Sequence, residues 1–279
     1  MISITLPTRT LVNVASASEP YLRSLDGVLD SFGVVGAYEQ RPNARGFFDD
    51  DTPESPGRQI TVFGEYRVHG GDWMALRREV TGLASRGMFA MQIAVDGLTR
   101  TVEVRIDGRV TFELIDENGY ADFSIPLVAP DPVLYGPWQS RSNGLPAAGG
   151  GVQSPLTSPL TELGGGNPGR VTLTNAGSTD TAPEFLISGG GLAGGVELTR
   201  IETGQRLRLE WPILPTNVVR FDSAEGQVWL DEQSPITGRL TRGEWWTLGP
   251  GETATVQIGA IGTVTGAPQL TARWRDSDA

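Results

Sequence analysis

Short apolar runs alternate with turn residues along most of the chain. Between residues 167 and 258 the runs are RVTLTN, PEFLIS, VELTRIETG, RLRLEW, VVRFD, QVWLD and finally EWWTLGPGETATVQI. Each is broken by Gly, Pro, Asn or Asp every ~8–12 residues, the spacing of an all-β sandwich. Residues 88–127 repeat the alternation as a meander. MQIAV runs into Asp96-Gly97, TVEVRI into Asp107-Gly108, and RVTFELI into Asp116-Glu117-Asn118-Gly119 ahead of YADFSIPLV. Asp-Gly between alternating strands predicts tight hairpins, because a type I′ turn needs positive φ at both central residues. Val102, Val104 and Ile106 point one way, with Thr101, Glu103 and Arg105 opposite. Val110, Phe112 and Leu114 continue the pattern, so this sheet buries one face.

One segment changes period. Over residues 72–86, Trp73, Leu76, Val80 and Leu83 recur at helical spacing and form one apolar stripe. Asp72 is placed to cap the first turn and Gly87 to close the last. With Arg77, Arg78, Glu79 and Arg86 on the other side, this predicts an amphipathic helix packed on the sheet rather than a ligand site. QITVFGEYRV before it reads as a strand, and SLDGVLDSFGVVGAYEQ as two short ones. Residues 40–58, with three prolines and Asp49-Asp50-Asp51, show no apolar period and read as a long loop. Residues 137–169 are rich in Gly, Ser and Pro and read as a linker, to which VQSPLTSPL adds a short strand. The expected organisation is mainly β. An N-terminal sandwich or barrel-like domain (1–136) carries the single helix, and a C-terminal β-sandwich domain spans 170–279.

Composition narrows the function classes. At 279 residues and 38% hydrophobic content the chain can build two cores, and no run reaches the roughly 20 apolar residues of a membrane span. The opening MISITLPTRTLVNV has no basic-then-apolar leader pattern. With no cysteine, disulfides, thiolate metal sites and cysteine nucleophiles are excluded. All 22 basic residues are arginines, which points to G+C-rich coding rather than to a physical demand. A net charge of −11 argues against wrapping nucleic acid but suits a channel past which DNA slides.

Candidate chemistry is sparse. The single histidine, His69, has no Gly-x-Ser-x-Gly elbow to accompany it and cannot form a multi-histidine zinc site. Asp49, Asp50 and Asp51 with Glu54 lack the alternating ligands and central glycine of a calcium loop, so they read as a solvated acidic loop. Glu197, Glu210 and Glu225 are the carboxylates available for glycoside hydrolysis, whose pairing only geometry can reveal. Trp211, Trp229, Trp245 and Trp246 raise carbohydrate or partner contact, since indole faces stack on sugar rings. Trp245 and Trp246 are adjacent, so on a strand they face opposite ways: one belongs to the core, the other is exposed or lies under a loop. The expectation is a non-enzymatic chain with no cofactor and no metal.

The order of the C-terminal pieces is more specific than their period. The Asn175-Ala176-Gly177 turn, PEFLIS, the Thr203-Gly204 hairpin, QVWLD and the Trp245-Trp246-x-Leu248-x-Pro250-Gly251 close resemble the C-terminal domain of siphophage distal tail proteins. APDPVLYG (residues 129–136) is similar to the Asp-Pro-x-x-Tyr phrase that ends their N-terminal domain. Two stretches depart from the pattern: Ala193-Gly194-Gly195-Val196 replaces an Asn-Pro pair, and Gly251-Glu252-Thr253 replaces Gly-Glu-Asn. The resemblance implies a virion protein at the distal end of the tail of a long-tailed phage of a high-G+C Gram-positive host. Its N-terminal domains would form a hexameric ring continuing the tail-tube channel, and galectin-like C-terminal domains would project outward. The implied partners are its own copies, the tail tube protein, the tail hub or tail-associated protein and the tape measure protein, with DNA passing through unbound and no membrane involved. In such a ring Asp49, Asp50 and Asp51 either face the lumen or lie on the outer surface. A carbohydrate-binding host-recognition module and a cell-wall glycan hydrolase are the rival readings.

The linker reading has a direct consequence. Limited proteolysis should nick first between residues 136 and 169 and leave two stable fragments, because glycine-rich exposed backbone is readily cut. Rapid digestion of either half to small peptides would refute the two-domain division.

Overall fold

The computed structural model describes residues 1–15, 19–30, 39–40, 47–48, 57–67, 73–116, 120–147 and 166–279. Asp49, Asp50, Asp51, Glu54, His69, the Asp72 cap, the 117–119 turn and VQSPLTSPL lie outside these residues. Among the described residues the chain is mainly β with one α-helix, and it divides into two compact units, Met1–Pro137 and Trp138–Asp278.

The first unit contains β1 (Ile2–Thr5), β2 (Thr10–Val12), β3 (Tyr21–Asp26), β4 (Glu39–Gln40), β5 (Phe47–Phe48), β6 (Arg58–Arg67), α1 (Trp73–Gly82), β7 (Phe89–Val95), β8 (Leu98–Ile106), β9 (Thr111–Asp116), β10 (Tyr120–Ala129) and β11 (Leu134–Tyr135). The main sheet is antiparallel in the order β2-β1-β7-β8-β10-β6-β3. Asp96 and Gly97 have φ of 48° and 89°, the positive pair that a tight β7–β8 hairpin requires. The second Asp-Gly behaves differently. Gly108 has φ 109° but Asp107 does not share it, and β9 pairs with β10 rather than with β8.

The simple meander is therefore corrected, and the cause is visible on β10. One edge of β10 is shared: β9 meets it from Tyr120 to Ser124, and β8 at Leu127 and Val128. Between them sits Pro126, whose carbonyl accepts the Asp107 N–H at 3.0 Å. A proline has no N–H to offer on that edge, so the break between the two partners falls where no donor is lost.

Inward side chains from the strands, including Ile4, Leu22, Val62, Met91, Val104 and Ile125, form one core with Leu76, Val80 and Leu83 of the helical segment. Trp73, the fourth residue of the stripe, stays half-buried and stacks on Phe112 with ring centroids 6.4 Å apart; Phe112 stacks in turn on Phe123 at 6.4 Å. Phe123 lies over its cross-strand partner Gly64, where a Cβ would come within 2.0 Å of the ring. That close approach explains a glycine inside a strand. The helix does not end on Gly87. It tightens into a 3₁₀ turn (Leu83–Ser85), and Arg86 leaves in extended geometry at φ −84°, ψ 146°, so no left-handed cap is used. Arg58 is buried. Its Nε donates to the Pro132 carbonyl, and Nη1 to the carbonyls of Gly27, Val28 and Asp30. Asp131 accepts from the Tyr135 hydroxyl at 2.9 Å and the Val133 N–H at 3.1 Å, which fixes the Asp-Pro-x-x-Tyr phrase.

The second unit begins with β12 (Gln139–Gly144), so a strand opens the stretch read as linker. It continues with β13 (Arg170–Thr174), β14 (Glu184–Leu192), β15 (Gly195–Arg200), β16 (Arg206–Leu209), β17 (Val219–Asp222), β18 (Gln227–Leu230), β19 (Ser234–Pro235), β20 (Leu240–Gly243), β21 (Thr253–Ile261) and β22 (Val264–Trp274). Two antiparallel sheets, β12-β22-β14-β17-β18-β19 and β13-β21-β15-β16-β20, enclose a core of Phe185, Ile187, Val196, Leu198, Phe221, Val256, Ile258 and their neighbours. Period-two alternation supplies this core, since every second side chain of each strand points inward.

Asn175, fully buried, ties the loops at one end of this sandwich. Its Nδ2 donates to the carbonyls of Thr179, Leu248 and Gly249 at 2.7, 3.1 and 3.2 Å, and its Oδ1 accepts from the Gly177 N–H at 3.0 Å. The Gly249-Pro250-Gly251-Glu252 turn closes with the Glu252 N–H on the Gly249 carbonyl at 3.1 Å, and Gly251 takes the φ of 68° that its third position needs.

Two outcomes test these contacts. In the first unit Arg9 donates to both carboxylate oxygens of Glu79 at 3.0 and 2.9 Å, and this holds the Glu79 carboxyl below its ordinary range. A depressed folded-state pKa stabilises above the unfolded value, about 4.3, and that stabilisation is lost as pH falls below it. Glu79→Gln should therefore lose less stability than the native chain between about pH 5 and pH 3 in thermal melts. In the second unit, Asn175→Ala leaves the half-buried Gly177 N–H without its acceptor and takes one of two donors from each of the Thr179, Leu248 and Gly249 carbonyls, which keep the Ser277 hydroxyl, the Thr181 N–H and the Glu252 N–H. Denaturant titration should show a loss of about 1–3 kcal/mol, the cost of an unsatisfied buried group. Asn175→Asp, which turns an acceptor toward those carbonyls, should lose more.

Candidate functional site

Arg200, Ser223 and the strap 244–247 converge at one end of the second unit. The strap leaves β20 at the edge of the five-stranded sheet and crosses to Leu248, which exchanges backbone bonds with Thr181 at 2.8 and 2.9 Å, just ahead of β14 in the other sheet. Trp245 and Trp246 therefore lie on irregular backbone, not on a strand, yet they still diverge. Trp246 enters the core, with its ring 5.6 Å from that of Phe185 and tilted by 52°. Trp245 stays half-buried at the surface beside Gly226 and Gly243.

Arg200 holds the strap in place. It occupies the inward register of β15 after Val196 and Leu198, where an arginine must find polar partners to be buried. Its Nη1 donates to the Thr247 carbonyl at 3.2 Å, and its Nη2 pairs with Glu252. The Glu252 carboxylate also takes the Gly249 N–H at 2.7 Å, so one ion pair links β15, the strap and the closing turn. Gln205 reaches the Trp245 carbonyl at 3.5 Å. Asp222 caps the next turn by accepting from the N–H groups of Ala224 and Glu225 at 3.0 and 3.2 Å.

These elements surround an open hollow of about 370 Å³ lined by Arg200, Gln205, Ser223, Trp245, Trp246 and Thr247. Three of its six lining residues carry a buried polar atom without a hydrogen-bond partner among the described residues: Arg200 Nε, Ser223 Oγ and Trp246 Nε1. A buried N–H left unpaired costs about 1–3 kcal/mol, so such a cluster invites an acceptor.

The other sequence candidates do not join this hollow. Trp211 packs on the core under the Arg239 guanidinium, 4.6 Å from the ring centroid. Trp229 sits on β18 across from Arg220. Glu197 and Glu210 both bond Arg208, at 3.0 and 2.8 Å, and these paired charges raise the arginine's pKa. The Glu197–Arg208 pair lies directly across β15 and β16, an arrangement that stabilises a sheet. Glu225 stands apart in the turn after β17. Asp49, Asp50, Asp51 and His69 lie outside the described residues. Sequence reading passed over Arg200, although its inward register was a legible signal; Ser223, Gln205 and Thr247 carry none.

No protein-family model matches the sequence. No curated protein matches it at a significant level. Among solved structures, the chain is similar to SPP1 Dit (gp 19.1), described as a paradigm of the hub adsorption apparatus in Gram-positive infecting phages. The likeness has a TM-score of 0.67 at 15% identity and covers 99% of both chains. Weaker likenesses link it to chains of the phage P2 baseplate in its activated conformation, with Ca at TM-score 0.47 and 9% identity and with Sr at 0.46 and 10%, each covering 97% of both chains. From end to end, the chain has the fold of SPP1 Dit.

Proposed function

We propose that the protein is a distal tail protein of a long-tailed phage, a structural component of the tail hub at the distal end of the virion. The observation that carries this reading is the match to SPP1 Dit over 99% of both chains, which extends across both units rather than one shared module. Independent support comes from the residues. The Trp-Trp-x-Leu-x-Pro-Gly close and the Asn-Ala-Gly turn, which resemble that family in sequence, meet at the buried amide of Asn175. In this reading the chain acts by architecture, not by turnover.

Copies of the N-terminal domain (1–136) assemble as a hexameric ring that extends the tail-tube channel. Residues 137–169 lead into a galectin-like C-terminal domain (170–279), to which β12 (Gln139–Gly144) adds a strand by pairing with β22. The edges of β2, β3 and β9, unpaired among the described residues, give neighbouring copies strands on which to close. Partners are the tail tube protein, the hub protein and the tape measure protein, and DNA passes without specific binding, in keeping with the net charge of −11. Asp49, Asp50 and Asp51 are assigned to this lumen only in the version of the reading that turns their loop inward. The all-arginine basic set suits a host of high G+C content, and the SPP1 likeness suits a Gram-positive one.

Mass measurement of the purified full-length chain should find a six-fold species, at the latest on addition of tube or hub protein, and negative-stain images should show closed rings. A chain that stays monomeric under both conditions would sink the ring.

A further inference from the structure

We propose that the hollow at the end of the second unit is a binding site for a neutral sugar ring. It is formed by Trp245, Trp246, Arg200, Gln205, Ser223 and Thr247. Three features select that class. The first is shape: at about 370 Å³ the hollow is at the small end of ligand pockets, which run from about 300 to 1,000 Å³, and it suits one small ring rather than a peptide.

The second is hydrogen bonding. Arg200 Nε and Trp246 Nε1 are N–H donors, and Ser223 Oγ can donate or accept, all without partners among the described residues. All three atoms are buried behind the wall of the hollow, so a ligand in it bonds them only by displacing the strap 244–247 that covers them. Gln205 and Thr247 add an amide and a hydroxyl at the rim. A ring bearing several hydroxyls offers both lone pairs and O–H groups at this spacing, and the half-buried Trp245 indole offers a face to stack its C–H side.

The third is charge. Arg200 is already matched by Glu252. Glu244 accepts from the Arg206 N–H at 2.8 Å and lies 3.9 Å from Arg242, and Asp180 accepts from the Thr247 hydroxyl at 3.4 Å. Each arginine at the rim is thus matched by a carboxylate and Asp180 adds a further negative charge, which disfavours an anionic ligand and leaves a neutral one. This site is independent of the ring: it is built within one chain and needs no neighbour.

The experiment is a titration of the full-length protein with glucose, galactose and N-acetylglucosamine, with sodium acetate as the anionic probe. Binding is followed by tryptophan fluorescence and by the ¹⁵N-labelled indole N–H signals. At least one sugar should bind saturably with Kd on the order of 1 mM and move the Trp245 and Trp246 indole signals while leaving Trp138 in place. Trp245→Ala should weaken binding by more than about tenfold, and Gln205→Ala by a few-fold. Melting curves check that the variants fold; if Trp245→Ala does not, the indole shifts of the native chain and the Gln205→Ala affinity decide. No saturable response to any of the three sugars means the orphaned groups hold only water, and the proposal fails. Preferential acetate binding, or unchanged affinity in a folded Trp245→Ala, overturns it equally. Native mass on the same sample keeps the two readings apart, since rings without sugar binding refute only this site.

Discussion

Each of the large sheets in this protein has one apolar face, and covering that face without a disulfide is the constraint from which the rest of the structure follows. The two units meet it differently. In the second, a six-stranded and a five-stranded sheet cover one another, and Phe185, Phe221 and Trp246 fill the space between them. In the first, β8 leaves β7 to join β10, and the helical stripe of Leu76, Val80 and Leu83 completes the core. The stacked run of Trp73, Phe112 and Phe123 extends this cover toward the helix. It requires a bare backbone at Gly64, because a side chain there would occupy the place of the Phe123 ring.

Loops are held by polar knots rather than by covalent links. Arg58, Asn175 and Arg200 are all buried; Arg58 and Asn175 spend their donors on backbone carbonyls, and Arg200 divides its own between the Thr247 carbonyl and the Glu252 carboxylate. Arginine suits this task better than lysine, since its planar fork carries five donors in fixed directions. The net gain per bond is modest, about 0.5–1.5 kcal/mol, but an unmade bond in the interior costs more than a made one contributes. Such knots therefore set loop geometry more strongly than they set total stability. The Asn175 knot places the closing turn, the closing turn places Glu252, and Glu252 with Arg200 places the strap that carries both tryptophans.

That chain of dependence links architecture to surface. A unit whose loops are pinned by buried amides and guanidiniums presents its surface loops in fixed positions. The hollow beside Trp245 lies at the end of the sandwich, away from the sheet faces, so a ligand there would not disturb the strands. Glu197 and Glu210 show the opposite allocation: acidic residues that sequence alone could assign to catalysis are occupied by Arg208, Glu197 from the neighbouring strand and Glu210 from two positions along the chain.

The alternation of side chains, the helical stripe at Leu76, Val80 and Leu83, and the Asp96-Gly97 hairpin could all be read from the sequence, because each depends on residues a few positions apart. The inward register of Arg200 belongs with them, although its meaning emerges only with its partners. What the sequence hid was set at longer range. β22 was invisible because Gly266 and Pro268 interrupt its pattern, and it stands as a strand only because β12 and β14 pair on either side of it. The choice of β10 over β8 as partner for β9 turned on Pro126 and its missing N–H. Asn175 meets the Leu248 carbonyl across 73 residues, and Arg200 the Thr247 carbonyl across 47. Period and turn chemistry are local properties of the backbone, whereas a buried polar partner is chosen only when distant segments exclude water together.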